Sequence, residues 1–237
     1  MVEITNTGER ILLEKESAQM IARHFCAYKF ARGYAAGKVV LEIGCGEGYG
    51  SFYLADSAKE VTAIDYSNEA IEYAKSKYKK ENLRFQKLDV RELSTLNKKF
   101  DLVCSFQVIE HIQDTGAFLK NIRNLLNEGG IFICSTPNRL DASPNSETPL
   151  NKFHLKEYLA QEFKQLLGEE FRDVEMYGLH RGTKLNFYRR LKKIGIFNFL
   201  PQTVDPVKKF YANIECDDFV ISKEGLERAL DFIALCK

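Results

Sequence analysis

The stretch VVLEIGCGEGYGSFYLA, residues 39–55, decides the fold, because it joins an apolar strand pattern to a glycine-rich turn and then to a helical pattern. Four glycines alternate with other residues over positions 44–50. Glycines at the carboxyl end of a first strand let the backbone turn tightly and let a ligand come close to it. The stretch therefore predicts a strand, a ligand-binding loop and a helix, in that order.

Apolar runs followed by helical patterns recur along the chain as far as Pro137. Continuous runs of Val, Ile, Leu and Phe are typical of buried parallel strands joined by right-handed crossovers. We expect an α/β fold with a doubly wound, mostly parallel seven-stranded sheet and an antiparallel edge hairpin. The predicted strands are residues 38–44, 60–65, 83–89, 100–107, 130–137, 171–178 and 215–222.

The pattern divides the chain into two predicted parts. Residues 1–37 form a helical lid, with its helix over residues 16–34, and residues 38–237 form the main domain. Within that domain we expect a substrate-side loop at 138–153, rich in proline, and a basic insertion at about 180–211. Further helices are predicted from about Tyr49 and over residues 68–80, 115–126 and 154–167.

Composition excludes several classes of protein. Lys and Arg number 34 and Asp and Glu number 33, so no strong global field attracts nucleic acid. The apolar runs are far shorter than the roughly 20 residues that cross a bilayer, and the N-terminal residues lack a signal-peptide pattern. The six cysteines form no Cys-x-x-Cys pair, which indicates free thiols in a reducing compartment. We expect a cytoplasmic protein without a metal site.

Charge in the glycine-rich stretch narrows the class of ligand. Residues 39–57 hold Glu42, Glu47 and Asp56 but no Lys or Arg. Tyr49 stands where a dinucleotide-binding fingerprint has its third glycine. Such an acidic mouth suits a cationic ligand better than a pyrophosphate. S-adenosylmethionine fits this description, because it carries a sulfonium and an ammonium group.

Two aspartates end the next two predicted strands. Asp65 stands 21 residues after Gly44, where a carboxylate can accept hydrogen bonds from both ribose hydroxyls. Asp89 can accept from an adenine amino group, while Val90 covers the ring. Together with the glycines, these residues indicate a nucleoside site.

Five motifs carry a resemblance to a known family. VLEIGCGEGYG, VTAIDYS, FQKLDVREL, FDLVCSFQVIEHIQD and LLNEGGIFICSTPN resemble the class I S-adenosylmethionine-dependent methyltransferases over residues 38–138. The resemblance implies a Rossmann-like methyltransferase fold, S-adenosylmethionine as the cofactor and S-adenosylhomocysteine as its product. Within this family, the sequence is most similar to the branch that methylates small molecules such as quinols, sugars and other glycosides. TGER, HFCAYKFA and FHLKEYLAQEFKQLL resemble bacterial members associated with saccharide biosynthesis.

The motifs and the resemblance together assign candidate site residues. Glu42 is expected near the cofactor's ammonium group, and Tyr28 lies with His24 on a lid helix, where core packing is an alternative role. The candidate cofactor-binding residues are Tyr28, Glu42, Gly44, Cys45, Gly46, Tyr49, Asp65, Tyr66, Asp89, Val90, Phe106 and Gln107. The candidate catalytic residues are His111 and His154. His111 would orient an acceptor or take its proton, and His154 would contact the substrate; the alternatives are a structural His111 and a helix-capping His154.

The predicted function is methyl transfer to an O or N atom of a small molecule, such as a sugar, a nucleotide-linked sugar or a related glycoside. The alternatives are an RNA or protein methyltransferase, a nicotinamide-dependent oxidoreductase and a non-catalytic S-adenosylmethionine-binding module. SFQV stands where amino-directed nucleic-acid enzymes have an Asn/Asp-Pro-Pro-aromatic motif, so no nucleic-acid partner is expected. The basic, aromatic segment around residues 187–199 is either a solvated helix or a platform for an anionic acceptor or a membrane surface. No oligomeric state follows from these patterns.

Overall fold

An eight-stranded sheet organises the part of the chain that the computed structural model describes, residues 11–195 and 204–237. Its strands follow one another along the chain, with helices between most of them. The strands are β1 (Val39–Ile43), β2 (Glu60–Asp65), β3 (Leu83–Lys87), β4 (Phe100–Phe106), β5 (Leu126–Pro137), β6 (Val174–Arg181), β7 (Phe219–Ser222) and β8 (Asp231–Cys236).

The helices cover both faces of this sheet. Several begin where a polar side chain accepts a hydrogen bond from a backbone N–H of the first turn, as Ser17, Ser67 and Asp114 do. The described helices are α1 (Ala18–Ala35), α2 (Tyr49–Leu54), α3 (Asn68–Lys77), α4 (Thr115–Leu125), α5 (Arg139–Ala142), α6 (Ala160–Gly168), α7 (Thr183–Ile194) and α8 (Pro206–Ala212).

The strand order is β3-β2-β1-β4-β5-β8-β6-β7. The first five strands in this order are parallel, β8 is antiparallel to both β5 and β6, and β7 is antiparallel to β6. The order of the chain reverses at β1, with β2 on one side of it and β4 on the other. In open α/β sheets such a reversal leaves a crevice at the carboxyl ends of the strands, where ligands bind.

The expected number of seven strands is wrong, because the sheet has eight. The unpredicted strand is β8, whose sequence is DFIALC and whose six residues are all buried. A strand covered on both faces lacks the alternation that would identify it, and a short apolar run of this kind also suits a helix. The antiparallel edge is confirmed, since β6 and β7 pair from Gly178–Ser222 to Arg181–Phe219.

The helix predicted over residues 154–167 begins later, at Ala160. The backbone before it bonds to neighbouring loops instead of to its own next turn. Leu155 N and Lys156 N both donate to Glu110 O, and Tyr158 O accepts from Arg139 N. These bonds hold residues 154–159 as an extended segment against the carboxyl edge of the sheet.

Two apolar layers explain the continuous apolar runs of the parallel strands. Neighbouring residues in a strand point to opposite faces. Leu41 and Ile43 pack in one cluster with α4, whereas Val40 packs in a second cluster with α1, α2 and α3. Because both faces of the sheet are covered, both sets of side chains are buried.

Helix α1 is tied to β8 by a bidentate ion pair. Arg23 Nε and Nη2 donate to the two carboxylate oxygens of Asp231 at 2.6 and 2.7 Å, and Nη2 also donates to Leu230 O. A guanidinium held by two parallel bonds has a defined orientation. This contact fixes α1 against the sheet, so its side chains can form a wall of a site.

The six cysteines, all within the described ranges, are free thiols, as predicted. Across residues 11–195 and 204–237 we find no helix with the length and apolar character that crossing a membrane requires.

Candidate active site

A cavity of about 670 Å³ opens at the carboxyl ends of β1, β2 and β4, where the strand order reverses. It brings together most of the predicted site residues. Those that line it are Tyr28, Gly44, Cys45, Gly46, Tyr49, Asp65, Tyr66, Asp89, Val90, Phe106, Gln107 and His111. Glu42 and His154 are not among the lining residues.

The loop after β1 can form because of its glycines. Gly44 has a φ of +76°, and a Cβ there would lie 2.4 Å from Cγ2 of Val108. Gly50 meets a different constraint, because a Cβ on it would lie 1.9 Å from Cε1 of Tyr28. The first glycine permits the turn, and the second lets the Tyr28 ring from α1 lie directly on α2.

Asp65, at the end of β2, stabilises this loop through two hydrogen bonds. Its Oδ2 accepts a hydrogen bond from Gly46 N and its Oδ1 accepts one from Ser67 N, both at 2.9 Å. A carboxylate has about four lone-pair sites, which is more than these two hydrogen bonds occupy. Asp65 therefore stabilises the loop and faces the cavity at the same time.

Glu42 lies behind the cavity wall, with 1% of its surface exposed. Its Oε1 accepts from Tyr28 Oη at 2.7 Å and its Oε2 accepts from Ser51 Oγ. Burial raises the pKa of Glu42 to about 7, although the two hydrogen bonds act in the opposite direction. Glu42 is thus coupled to the cavity through the Tyr28 hydroxyl.

The acidic mouth inferred from residues 39–57 is partly neutralised by two lysines from outside that window. Glu47 accepts from Lys77 Nζ at 2.8 Å and from Leu13 N at 3.0 Å. Asp56 pairs with Lys80. Of the three acids in the window, Glu42 alone has no lysine or arginine partner in the described part of the chain, so local negative charge comes mainly from Glu42 and Asp65.

Asp89 carries an ion pair that the sequence did not indicate. Both of its oxygens accept from the Arg91 guanidinium, at 2.9 and 2.7 Å, and Oδ1 also accepts from Arg91 N. These hydrogen bonds lower the pKa of Asp89 to about 2. Arg91 also lines the cavity, so a ligand amino group would share the carboxylate with it.

The segment after β4 supplies the floor of the cavity. Gln107 has a φ of +56°, which is rare for a residue with a side chain, and such strain is concentrated at functional sites. Its backbone N–H donates to Ser135 O at 2.9 Å, and its side-chain amide donates to Ser135 Oγ. His111 follows in a short 3-10 turn, Ile109–His111, with Nδ1 2.8 Å from Phe153 O.

His154 lies beside His111 but outside the cavity lining. The two rings are edge to face with centroids 5.0 Å apart. Nδ1 of His154 is 2.7 Å from Oε1 of Glu157, and its Nε2 is 3.0 Å from Nδ2 of Asn151. The neighbouring Leu155 reaches the cavity instead.

Glu110 is a buried acid beside His111 that is not among the predicted site residues. Its surface is 0% exposed, and burial raises its pKa to about 8. Oε2 accepts from Thr136 Oγ1 at 3.0 Å. The available signal was an acid directly after two apolar residues and directly before His111, in VIEHI. His24 also lines the cavity from α1, and burial lowers its pKa to about 4.

The basic insertion is separate from this cavity. Within the described residues, α7 and α8 form a second cavity of about 330 Å³, lined by Gln19, Arg181, Leu185, Arg189, Lys192, Lys193 and Tyr211. Phe187 is 55% exposed on α7. The remainder of the predicted aromatic segment, residues 196–199, lies outside the described residues.

The fold and the cavity define a class of protein, Rossmann-like α/β domains that hold a nucleoside cofactor at the carboxyl edge of the sheet. A family model described as a methyltransferase domain matches residues 35–191, and the chain belongs to that family.

Known proteins agree with this assignment. The chain is 39% identical over 171 residues to a probable S-adenosylmethionine-dependent methyltransferase of Mycolicibacterium smegmatis, a match that covers 71% of this chain and 65% of that protein. The match therefore spans just under two thirds of the relative. A ubiquinone biosynthesis O-methyltransferase of Coxiella burnetii is 34% identical over 105 residues, 44% of this chain and 45% of that one.

A solved structure shows the same fold. The S-adenosylmethionine-dependent methyltransferase of Archaeoglobus fulgidus superposes with a TM-score of 0.63 at 18% identity, covering 94% of this chain and 95% of the other. The family and the relatives identify S-adenosylmethionine as the cofactor of this methyltransferase domain.

Affinity for S-adenosylhomocysteine should rise with pH between about pH 6 and about pH 8, by up to about tenfold, because Glu42 titrates in this range. The ionised carboxylate attracts the ligand's ammonium group, and the neutral acid does not. Calorimetry across this range measures the dependence.

Glu42→Gln should flatten this profile, and a pH profile of that variant as steep as the wild-type profile would contradict the assignment. The buried tyrosines and cysteines that face Glu42 have raised pKa values and stay neutral below pH 8, whereas Asp65 contributes a nearby negative charge. The groups that face it are Tyr28, Cys45, Tyr49, Asp65 and Cys104.

Proposed function

We propose that the protein is an enzyme that transfers the methyl group of S-adenosylmethionine to a hydroxyl oxygen of a small molecule, with sugars, nucleotide-linked sugars and related glycosides as the substrate class. One observation carries the proposal: His111 and the glycine loop after β1 line the same cavity. Its volume of about 670 Å³ lies in the usual range for ligand sites and leaves room beside a nucleoside.

The cofactor is assigned to the glycine-loop side of the cavity. Gly44 and Gly46 let the backbone approach it, and Asp65 accepts hydrogen bonds from the ribose hydroxyls. Asp89 and Val90 hold the adenine. Glu42 offsets the ammonium group through Tyr28, while the remaining candidates, Cys45, Tyr49, Tyr66, Phe106 and Gln107, complete the walls.

The acceptor is assigned to the His111 side. Methyl transfer needs the acceptor oxygen, the methyl carbon and the sulfur in line, with water excluded. The oxygen forms the new bond to carbon, the electron pair of the S–C bond goes to sulfur, and the hydroxyl proton leaves the acceptor. His111 orients that hydroxyl or takes its proton, and its ring is already oriented by Phe153 O.

Two features support an oxygen acceptor of this class. The O-methyltransferase of Coxiella burnetii is similar over part of the chain, although it acts in ubiquinone biosynthesis. The second cavity is separate from the first, and the positive charge of Arg181, Arg189 and Lys192 in its lining would attract an anionic group, such as the phosphates of a nucleotide-linked sugar long enough to span both cavities.

The test is transfer of labelled methyl groups from S-adenosylmethionine to a panel of glycosides, nucleotide-linked sugars, quinols and amines, with RNA and protein as separate arms. We expect turnover with hydroxylated small molecules. Label in RNA or protein alone would contradict the substrate class. Tight S-adenosylhomocysteine binding without turnover on any arm would favour a non-catalytic binding module.

A further inference from the structure

Three residues at the acceptor side of the cavity bring together the kinds of atom that bind metals. Glu110, His111 and His154 each offer one ligand atom, a carboxylate oxygen or a ring nitrogen, and these atoms all lie within 4.8 Å of one another. Glu110 and His111 come from the turn after β4, and His154 from the segment before α6. The bonds from Leu155 N and Lys156 N to Glu110 O hold the two segments together.

The hydrogen bonds of the two histidines prepare their rings for a metal. Nδ1 of His111 is 2.8 Å from the Phe153 carbonyl, and Nδ1 of His154 is 2.7 Å from the Glu157 carboxylate. Both partners are acceptors, so each Nδ1 carries the proton and each Nε2 carries a lone pair. The Nε2 of His154 accepts from Asn151 Nδ2 at 3.0 Å, and an ion on this ring would replace that hydrogen bond. Metal-binding histidines almost always donate their other N–H to a carbonyl or a carboxylate in this way.

Two buried carboxylate oxygens lack partners beside these rings. Oε1 of Glu110 and Oε2 of Glu157 have no hydrogen-bond partner among the described residues. Glu110 is 0% exposed and Glu157 is 3% exposed. A buried oxygen without a donor carries a free-energy cost, and a cation bound to Glu110 would remove that cost for its Oε1. This observation is independent of the clustering, because it concerns the satisfaction of each oxygen.

We propose that Glu110, His111 and His154 form a binding site for one divalent first-row transition-metal ion, with Glu157 orienting His154. Two imidazoles and one carboxylate suit Zn²⁺, Mn²⁺, Fe²⁺ or Co²⁺, whereas Mg²⁺ and Ca²⁺ prefer oxygen ligands. The three ligand atoms lie within 4.8 Å of one another in this structure. Bonds of about 2.0–2.2 Å from each atom to a common ion would bring them closer together. Three protein ligands leave coordination positions open for another molecule.

The open positions indicate what the ion would bind. His111 lines the cavity, so an ion on its ring would lie next to the acceptor. This part of the inference rests on the proposed function: the ion would bind the acceptor hydroxyl and lower its pKa, so that the hydroxyl proton passes to solvent water before the oxygen attacks the methyl carbon. With its Nε2 on the ion, His111 would then orient the acceptor through the metal and would not take the proton itself. Acceptors with two neighbouring oxygens, such as vicinal diols, would fill two positions and bind best.

The experiment is a titration of the full chain with Co²⁺, followed by visible absorption, with Zn²⁺ added as a competitor. We expect one Co²⁺ per chain, absorption bands of a four- or five-coordinate ion, and loss of those bands when Zn²⁺ is added. Glu110→Gln and His154→Gln should weaken binding at least tenfold, and Glu157→Gln roughly 10- to 100-fold. Glu169→Gln, at an exposed acid on the C-terminal side of α6, is the matched control and should bind as the wild type does.

Calorimetry with S-adenosylhomocysteine shows for each variant that the fold is intact. Equal Co²⁺ binding by the wild type and the ligand variants would overturn the site, as would an intense thiolate charge-transfer band, which would place the ion on a cysteine. If the wild type binds S-adenosylhomocysteine but no Co²⁺, the metal site is wrong and the proposed function stands. If it binds Co²⁺ but transfers no methyl group, the proposed function fails and the site stands.

Discussion

Replacing Asp65 with alanine should raise the dissociation constant of S-adenosylhomocysteine roughly 100-fold or more. Two hydrogen bonds from ribose hydroxyls to a carboxylate contribute about 1.5–3 kcal/mol each, and 1.4 kcal/mol corresponds to a factor of ten in affinity. The substitution also removes the acceptors for Gly46 N and Ser67 N, so the glycine loop loses two stabilising hydrogen bonds. Isothermal calorimetry with the purified variant measures the effect.

Two further variants make this result specific. Asp65→Asn keeps an acceptor oxygen and should lose less affinity than Asp65→Ala. Asp56→Ala removes a 46%-exposed acid that pairs with Lys80 and does not line the cavity, so it should bind as the wild type does. Wild-type affinity in Asp65→Ala would mean that the carboxylate does not hold the ribose.

The second large effect is expected at His111. His111→Ala should lower kcat for a hydroxyl acceptor about 100-fold, within the range of 10²–10⁴ that a positioned acid–base group contributes. The dissociation constant of S-adenosylhomocysteine should change by no more than about twofold, because the lost group acts on the acceptor. Single-turnover kinetics together with calorimetry separates the two quantities.

Leu155→Ala is the control for His111→Ala, since Leu155 also lines the cavity but has no polar side-chain atom. It should change KM for the acceptor more than kcat. Unchanged kcat in His111→Ala would contradict a role of this residue in the chemical step. Equal losses of kcat and cofactor affinity would indicate that His111 supports the shape of the cavity instead.

The parts of the fold that sequence could predict are those set by neighbours along the chain. The loop at Gly44, the strand end at Asp65 and the helix start at Asn68 follow from local backbone requirements, and the structure has them at those positions. The strand predicted to end at Asp89 ends at Lys87 instead, and Asp89 caps the short 3-10 turn that follows. Topology then brings the strand ends to one edge, because parallel strands joined by right-handed crossovers share a direction. Most of the predicted site residues therefore line the cavity, although they are fewer than half of its lining residues.

The features that the sequence did not predict depend on contacts between segments that are far apart along the chain. The pairing of Glu47 with Lys77 joins the loop after β1 to α3, and no charge count within residues 39–57 could include it. The displacement of the helix start from His154 to Ala160 depends on the carbonyl of Glu110, in another loop. β8 was missed because both of its faces are covered by elements far away in the sequence.

We expect the cavity at the end of β1 to bind the sulfonium nucleoside S-adenosylmethionine and its thioether product, and not a pyrophosphate-linked dinucleotide. Calorimetric titration of the wild-type chain with S-adenosylhomocysteine, and separately with NAD, tests it most directly. We expect saturable binding of one S-adenosylhomocysteine per chain and no saturable heat with NAD. Saturable binding of NAD with none of S-adenosylhomocysteine would contradict the claim.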